Sequence, residues 1–373
     1  MRIYSWGSNL GGQLCAGYRS STEVLTPLQV RPFEKDFFKA NTLKSIVGGR
    51  DQTYFLFDNG EVYGCGLNNC GQLGNLPLYV PFPTKLKNLS RYAVVELSAR
   101  NENAYAITSE GYCIGWGSNS SGQLGSPPFE MVCSSEPKVI CRNALHVSAG
   151  GNHVAIITRG YRKLLTCGAH KYGEIGRKFT RNCKPAAVKL PAVEAVACGQ
   201  SHTIALTRKG DLFGWGMNTF GQTGIKPRNY PVVLRPKEVP TEYDLQIKQV
   251  KLQCGRHHSV MYANNGQILT WGRNQYGQIS MVPHLPEYDW KPTMLKDFCH
   301  VETIAIGGNH NIVLHRNKGI HFWGWTEGNC PSKLDHTHKD PYLFKPEIFY
   351  PKKSIPENIF MGAGEKHSVV MFY

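Results

Sequence analysis

The sequence contains no apolar run of the ~20 residues that a membrane-spanning helix requires. Its beginning, Met1 to Trp6, also lacks the apolar stretch that a secretory signal peptide carries. These absences predict a soluble protein that does not insert into membranes. We therefore expect it in the cytoplasm, with the nucleus as an additional location.

Signatures of covalent chemistry and of cofactor binding are absent as well. The chain has no GxxxxGKS phosphate loop, no GxGxxG opening a helix, no HExxH and no GxSxG nucleophile elbow. It has no CxxC pair, and several cysteines lie in strand-like apolar runs, where we interpret them as small buried hydrophobic residues. These cysteines are Cys65, Cys113, Cys167, Cys198 and Cys254. We predict a protein that is not an enzyme and that holds neither a cofactor nor a metal.

Charged residues are scarce, at 18% of the chain, whereas hydrophobic residues make up 41%. This balance allows a sizeable core and excludes wholesale disorder. Lys and Arg outnumber Asp and Glu by 42 to 27, which gives a net charge of +15. The excess favours an acidic partner, either nucleic acid or an acidic protein surface, while simple solubility is the alternative.

Glycine is abundant instead, at 39 of 373 residues, and much of it belongs to a repeat. A Trp-Gly-x-Asn-like element occurs seven times, at intervals of 48 to 59 residues. In five copies a Gly-Gln pair follows, the fourth copy has Gly173-Glu174, and the seventh departs at Gly328-Asn329. The copies begin at Trp6, Cys65, Trp116, Cys167, Trp215, Trp271 and Trp323.

A second element, Gly-x-x-His followed by an apolar run, lies 13 residues upstream of most of these copies. In the first two copies Gln52 and Asn103 replace the histidine. Two elements at a nearly constant separation indicate a repeat architecture. The histidines are His153, His202, His258, His310 and His367.

Each repeat contains the pattern of four strands. Apolar runs flank Asn59-Gly60, which predicts a hairpin with a type I′ turn. A short apolar strand such as 193–197 precedes Gly-x-x-His, and a further strand such as 231–234 follows the Gly-Gln pair. Four strands per unit of about 50 residues form one propeller blade. We predict an all-β, seven-bladed β-propeller of four-stranded antiparallel blades that forms a single domain, 1–373.

The two ends of the chain complement each other. The last Gly-x-x-His, at His367, is followed by only a few residues, so its Trp-Gly element is missing there. That element is present at the N-terminus, around Trp6. We expect the N-terminal strand to complete the C-terminal blade and so to pair edges that would otherwise stay open.

Trp-Gly-Ser-Asn, Gly-Gln-Leu-Gly and Cys-Gly-x-x-His resemble the regulator-of-chromosome-condensation repeat family over essentially the whole chain. Within that family, 62–68 and 322–327 are most similar to the secretion-regulating guanine nucleotide exchange factor group, which includes an accessory propeller of diphthamide synthesis and of the Elongator pathway. The resemblance implies pairing with a small acidic zinc-binding protein. A basic propeller suits such a partner electrostatically.

The repeated tryptophans and histidines are predicted to be structural. A Trp at a fixed blade position is typical of packing between neighbouring blades, and the two Cys replacements fit an apolar slot. A catalytic histidine would be unique, whereas these recur by symmetry. We expect them to hydrogen-bond backbone across a strand edge.

Candidate binding residues lie inside Gly-x-x-His, where the sequence differs from blade to blade. A glycine turn that enters a strand places these two residues on one rim of the ring, and variation there suits recognition, with a merely solvated rim as the alternative. The partner-binding candidates at this rim are Arg50, Asp51, Gln200, Arg256, His257 and Lys366.

Longer inter-repeat segments supply the remaining candidates, because loops on a rigid scaffold commonly carry function. Segment 281–300 holds Trp290 beside Lys291, which resembles an exposed interface anchor, and segment 325–351 begins with Trp325. The latter also contains His336-Thr337-His338, which we interpret as a plain polar loop in preference to a metal site. Segment 226–246 is the third.

Three functions follow. The favoured one is a monomeric, non-enzymatic adaptor that binds the small acidic zinc-binding protein of diphthamide synthesis and Elongator-dependent tRNA modification. The second is guanine nucleotide exchange on a small GTPase, for which Asp51, Arg256 and Lys366 could displace nucleotide. The third is chromatin binding through phosphate contacts, which is least favoured because no basic tail precedes the repeats.

Overall fold

The computed structural model describes residues 2–31, 33, 37, 41–241, 250–263, 266–279, 287–295, 301–315, 319–325, 342–350 and 358–372. Strands dominate these residues, together with a short 3-10 helix, Lys87–Leu89. Within this part of the chain no helix has the length and apolarity to cross a bilayer.

The strands form seven four-stranded antiparallel sheets, which are the blades of one propeller, as predicted. In chain order they are β1 Arg2–Gly7, β2 Val24–Val30, β3 Leu43–Gly48, β4 Gln52–Phe57, β5 Val62–Leu67, β6 Tyr79–Lys85, β7 Val94–Arg100, β8 Asn103–Thr108, β9 Cys113–Ser118, β10 Cys133–Cys141, β11 Ala144–Ala149, β12 His153–Thr158, β13 Leu164–Gly168, β14 Ala186–Ala187, β15 Val193–Cys198, β16 His202–Thr207, β17 Leu212–Met217, β18 Val232–Glu238, β19 Val250–Cys254, β20 His258–Ala263, β21 Ile268–Arg273, β22 Tyr288–Met294, β23 Val301–Ile306, β24 His310–His315, β25 Gly319–Trp325, β26 Tyr342–Tyr350, β27 Ile359–Ala363 and β28 His367–Phe372.

In each blade the four strands are arranged in the same order from the propeller axis to the outer edge. Blade 1 holds β3–β6, and blades 2 to 6 continue in fours through β7–β10, β11–β14, β15–β18, β19–β22 and β23–β26. The seven first strands contact one another around a central channel of about 570 Å³. Second strands such as β4 and β16 are buried along their whole length, because neighbouring blades cover both faces of the sheet. This double burial explains the continuous apolar runs in the sequence.

Blade 7 contains both ends of the chain, as expected from the repeat pattern. Its strand order from the axis is β27, β28, β1 and β2. β1 and β28 pair in unbroken antiparallel register, with Ile3 opposite Met371 and Trp6 opposite Ser368. Two C-terminal strands and two N-terminal strands therefore complete one sheet and close the ring.

The hairpins between second and third strands differ from the predicted turn type. In blade 1, the Gly60 amide donates to the Phe57 carbonyl and only Gly60 has a positive φ, of 82°. Asn59 keeps a negative φ, so the prediction of a type I′ turn is wrong. A three-residue loop that ends in a left-handed glycine fits the strand twist equally well.

Side chains of the repeat shape the turn that follows each Trp-Gly element. In blade 4, the Gln222 side-chain oxygen accepts from the Phe220 amide at 2.9 Å. The Asn218 side-chain oxygen accepts from the Thr223 amide at 3.2 Å. These bonds stabilise a turn conformation in which the backbone carbonyl of Gln222 accepts hydrogen bonds from the next blade.

That carbonyl is the acceptor for the tryptophan of the following blade. Trp271 donates its indole N–H to the Gln222 carbonyl at 3.0 Å, and Trp215 donates to the Glu174 carbonyl at 2.8 Å. Cys167 keeps the same role with a weaker S–H donor, 3.6 Å from the Gln123 carbonyl. The predicted packing of the tryptophans between blades is confirmed, since their side chains are fully buried.

The repeated histidines connect blades through side chains. In each case the Nε2 atom lies 2.9–3.0 Å from the residue that follows the equivalent position in the next blade. The pairs are His153 with Thr203, His202 with Ser259, His258 with Asn311, His310 with Ser368, and His367 with Thr53. The prediction of a bond to backbone was therefore wrong. The backbone acceptor is one step further on, because Thr203 donates to the Glu174 carbonyl at 3.1 Å.

This geometry fixes the histidine tautomer. The Thr203 hydroxyl gives its only hydrogen to the Glu174 carbonyl, so it accepts from the His153 Nε2–H. The Nδ1 atom is buried and has no hydrogen-bond partner among the described residues. Burial lowers the pKa of His153 to about 3 and that of His258 to about 4, so these rings are neutral at physiological pH.

Two junctions are built differently. The residues that would receive a histidine bond are Ala104 in blade 2 and Val154 in blade 3, neither of which can accept one. The preceding blades correspondingly lack the histidine. Asn103 donates instead to the Gly151 carbonyl at 3.0 Å, and the Tyr105 hydroxyl takes up the Gln123 carbonyl at 3.2 Å. The histidine thus occurs where the next blade offers a side-chain acceptor, which is a hydroxyl in four cases and the Asn311 amide oxygen in the fifth.

A double-mutant cycle at the junction of blades 3 and 4 tests this coupling. Thr203→Val should lower the free energy of unfolding by about 1–3 kcal/mol, because it leaves the buried His153 N–H unpaired. Adding His153→Asn, which copies Asn103 of blade 2, removes the ring N–H and supplies an amide that donates to backbone of the next blade, as Asn103 does. The double variant should therefore be more stable than the sum of the single losses in urea unfolding. Strict additivity would contradict the coupling, and Thr219→Val at an exposed position is the control.

The neutral histidines also predict acid sensitivity. Their folded pKa values lie below the ordinary 6.5, at about 3 for His310 and about 4 for His367. The unfolded chain therefore takes up protons as the pH falls below 6.5 while the folded chain does not. Stability that is fully present above pH 6.5 should be lost progressively toward pH 4, by up to about 1.4 kcal/mol per pH unit for each such histidine. Urea midpoints measured between pH 8 and pH 5 check this, and a flat profile would refute it. His153→Asn should reduce the slope.

Candidate functional site at the turn rim

The turns between first and second strands lie on one face of the propeller, which we call the turn rim. In every blade, the amide that follows the Trp-Gly element donates to the carbonyl of the second residue inside Gly-x-x-His. Examples are Leu67 to Asp51 at 2.8 Å and Arg273 to His257 at 2.9 Å. This bond ties the turn to the end of the third strand, so both contribute side chains to the same surface.

Neighbouring turns are bonded to one another as well. The Arg256 amide donates to the Gly308 carbonyl at 2.7 Å, and the Glu365 amide donates to the Gly49 carbonyl at 3.0 Å. Between blades 2 and 3 the Asn101 side chain takes over this role, 3.1 Å from the Gly151 carbonyl. The rim is therefore a rigid ring of linked turns, which reduces the entropy cost of binding a partner.

The structure places six of the predicted residues together on this rim. Their location on one face agrees with the sequence analysis, and their role in binding stays a prediction. The six are Arg50, Asp51, Gln200, Arg256, His257 and Lys366.

Blades 1 and 2 contribute a small acidic cluster. Arg50 lies 3.2 Å from Glu102 and 3.7 Å from Asp51. The Gln13 amide donates to Asp51 at 3.2 Å. Burial raises the pKa of the Asp51 carboxyl, although Arg50 and Lys366 act in the opposite direction. Asp51 is therefore held as a partly desolvated carboxylate.

The centre of the rim holds three charged side chains, Arg100, Arg256 and Glu365, which we call the axial cluster. The guanidinium of Arg100, from blade 2, reaches across the channel and donates to the Cys254 carbonyl in blade 5. It also lies 4.0 Å from Glu365 in blade 7, and Arg256 lies 3.4 Å from the same carboxylate. The side chains of Arg100 and Glu365 are each only 12% exposed. Arg100 and Glu365 both line the central channel.

Arg100 stands at the position that glycine occupies in the other six blades. At those glycines, an added Cβ would lie 2.0–2.3 Å from the histidine or glutamine three residues on, such as His202 above Gly199. In blade 2 the side chain three residues on is the smaller Asn103, so the position is open to a larger residue. The exchange of histidine for asparagine is what makes room for Arg100.

A row of aromatic and cationic side chains, which we call the aromatic row, crosses blades 4 to 7. The Arg273 guanidinium carbon lies 4.8 Å from the ring centres of both Phe220 and Tyr276. Tyr276 lies 6.3 Å from Trp325, and the Lys366 ammonium is 4.9 Å from the Trp325 ring. These cation–π contacts hold the cations in place. The predicted residues Trp325 and Lys366 are thus part of one surface.

Trp290 and Lys291 belong to the outer edge of blade 5, on β22. A Cβ added to Gly221 would lie 2.4 Å from the Trp290 Cβ, so Trp290 packs closely on the Gly-Gln turn of blade 4. It is half-buried, which corrects the expectation of an exposed anchor. The Lys291 ammonium lies 5.6 Å from its ring.

Arg100 of the axial cluster and Phe220, Arg273 and Tyr276 of the aromatic row were not predicted from the sequence. Glu365 belongs to a variable pair inside Gly-x-x-His but was not among the predicted binding residues. For Arg100 the repeat register was the signal, since a charged residue replaces an otherwise constant glycine. Phe220 and Tyr276 precede the Gly-Gln pair at a position that varies between blades, which is the criterion that identified the rim turns.

Parts of the predicted loops lie outside the described residues, including 242–249, 281–286, 296–300 and 326–341. His336-Thr337-His338 is among them. Of segment 226–246, Tyr230 is described, and it is 42% exposed.

Comparison with known proteins shows which families and proteins this chain is similar to. A family model described as RCC1-like domain matches residues 2–370. The secretion-regulating guanine nucleotide exchange factor of Mus musculus is 28% identical over 99% of this chain and 83% of its own length. The guanine nucleotide exchange factor SRM1 of Saccharomyces cerevisiae is 26% identical over 69% of this chain and 57% of its own length.

Solved structures agree on the fold. Prp20p from Saccharomyces cerevisiae, described with its binding to Gsp1p and histones, aligns with a TM-score of 0.83 and 22% identity, covering 99% of this chain and 90% of Prp20p. Human WBSCR16 aligns with a TM-score of 0.80 and 20% identity, covering 99% of this chain and 98% of its own. At these identities the likeness concerns architecture alone.

The raised pKa of Asp51 predicts how its carboxyl group affects the stability of the fold. Because its folded pKa is raised, the ionised carboxylate opposes folding at neutral pH, and the penalty vanishes once the pH falls below the ordinary value of 3.8. Asp51→Asn should therefore raise the melting temperature at pH 7 and leave it unchanged near pH 3. Asp58→Asn, at an exposed hairpin position, is the matched control. A lowered melting temperature at pH 7 would show that the carboxylate stabilises the rim.

Proposed function

The chain belongs to the RCC1-like domain family, and from this premise we propose that it promotes guanine nucleotide exchange on a small GTPase through its turn rim. Two relatives named guanine nucleotide exchange factors support the proposal, one of which matches 99% of this chain. Exchange of this kind requires no covalent chemistry. It requires a surface that binds the nucleotide-free partner more tightly than the nucleotide-bound one.

The observation that carries the proposal is the rigid rim with acidic and basic groups fixed in place. Asp51 and Glu102 lie on the turn rim in blades 1 and 2, while Arg256 and Lys366 lie on it in blades 5 and 7. Groups of both signs suit the nucleotide site of a small GTPase. There a carboxylate of the rim competes with the phosphates of the nucleotide, and a cation of the rim binds acidic side chains of the GTPase. The rim already holds these side chains in order, so less binding free energy is lost in ordering them.

Release of fluorescent GDP from a panel of small GTPases tests the proposal. We expect the wild-type propeller to accelerate release from at least one of them. Asp51→Asn and Lys366→Gln should each slow the stimulated release by about tenfold, because each removes a charge at the interface. Lys209→Gln removes a charge from the hairpin at the opposite end of the blade and should stay within about twofold of wild type.

A second candidate function is favoured by the net charge of +15. In this alternative the propeller is an adaptor for a small acidic zinc-binding protein that serves diphthamide synthesis and Elongator-dependent tRNA modification. The same experiment separates the two functions when it is paired with purification of the propeller from cells. Unchanged GDP release across the whole panel, together with recovery of an acidic zinc-binding protein, would replace exchange by the adaptor function.

A further inference from the structure

We propose that the axial cluster is a receptor for one carboxylate, an Asp or Glu side chain on a protruding loop of the protein partner. The inference deepens the proposed function, on which it rests in taking the turn rim as the partner-binding face. It identifies the chemistry at the centre of that face, where Arg100 and Arg256 meet Glu365.

The charge balance of the cluster is the first argument. Two guanidinium groups share one carboxylate, and no other acid of the described residues forms an ion pair with either arginine. One positive charge is therefore uncompensated within the described protein. Arg256 lies closer to the shared carboxylate, at 3.4 Å, than Arg100 does, at 4.0 Å, so the charge of Arg100 is the less compensated one. The Arg100 side chain is only 12% exposed, and a charge so poorly hydrated is unfavourable unless an anion is supplied.

Access is the second argument. The Arg256 side chain is 45% exposed, so the cluster is open toward the rim face while Arg100 forms its floor. A guanidinium offers its N–H groups in a fork that fits the two oxygens of a carboxylate. A carboxylate carries one negative charge, which balances the cluster, whereas a phosphate group would exceed it.

The third argument is that blade 2 departs from the repeat to place this residue. Glycine at position 100 would fit the pattern of the other blades, and the junction to blade 3 is maintained by other bonds, from Asn101 and Asn103 to the Gly151 carbonyl and from Cys167 to the Gln123 carbonyl. The Arg100 side chain reaches from blade 2 to Cys254 in blade 5. Blades 2 and 5 are not neighbours, so this contact is not part of a junction between adjacent blades. Its removal should accordingly leave the seven junctions intact.

The test measures binding of a fluorescein-labelled peptide with a central Asp-Glu-Asp against its Asn-Gln-Asn counterpart, at low salt, on the full chain. Wild type should prefer the acidic peptide. Arg100→Gln should weaken its binding by about tenfold or more, whereas Glu365→Gln should strengthen it, because the cluster then lacks its internal anion. Lys209→Gln, with the same loss of charge at a distant site, should stay within about twofold.

Opposite signs for the two cluster variants distinguish a receptor from a structural role, since a structural defect would weaken binding in both and lower both melting temperatures. Equal binding by Arg100→Gln and wild type, weaker binding by Glu365→Gln, or no preference for the acidic peptide would each overturn the proposal. If the GDP-release panel is negative while the peptide results hold, exchange fails and the receptor stands. If Arg100→Gln exchanges and binds like wild type, the receptor fails and exchange stands.

Discussion

A buried backbone carbonyl at the edge of each blade is the interaction on which the propeller depends. The Gln222 carbonyl receives the indole N–H of Trp271 at 3.0 Å and the hydroxyl of Ser259 at 2.8 Å, both from the following blade. Leaving such a group unpaired would cost about 1–3 kcal/mol, so a blade is satisfied only when its neighbour is in place. Repetition of this dependence around a closed circle makes the fold cooperative and gives the turn rim its rigidity.

The same constraint explains where the chain departs from its own pattern. A histidine needs an acceptor in the next blade, and where Ala104 or Val154 stands there instead, histidine is replaced and a tyrosine of the preceding blade supplies the second donor. The loss of one histidine then frees the space above the preceding backbone position. Arg100 occupies that space and carries charge to the propeller axis, so a change in packing at one junction alters the chemistry of the whole face.

Much of the fold could be predicted because the same sequence pattern recurs in every blade. The count of seven, the four strands, the closure by β1 and the burial of Trp215 and its equivalents all follow from the period and from local apolarity. The turn type at Gly60 was wrong because an Asn-Gly pair is compatible with two loop geometries that differ by one residue. The histidine partners were wrong because they belong to the next blade, about 50 residues away, and no local pattern indicates which atoms meet there.

The site residues could be predicted only where they occupy a position that recurs in every blade. Variation within Gly-x-x-His identified Asp51, Arg256 and Lys366 as rim residues. It could not show that Arg100 reaches the Cys254 carbonyl, since the contact joins opposite sides of the ring. Nor could it show that Trp325 and Lys366 lie against each other, because they belong to different blades.

Blade 7 combines strands from both ends of the sequence, which has a consequence for folding during synthesis on the ribosome. β1 is the first of these strands in the chain, whereas its inner neighbour β28 is the last and is synthesised after all the others. Until then the β1 edge that pairs with β28 stays open, and Trp6 lacks the blade 6 residues that cover it, such as Phe322. A holdase chaperone that shields this first strand would therefore favour productive folding over aggregation.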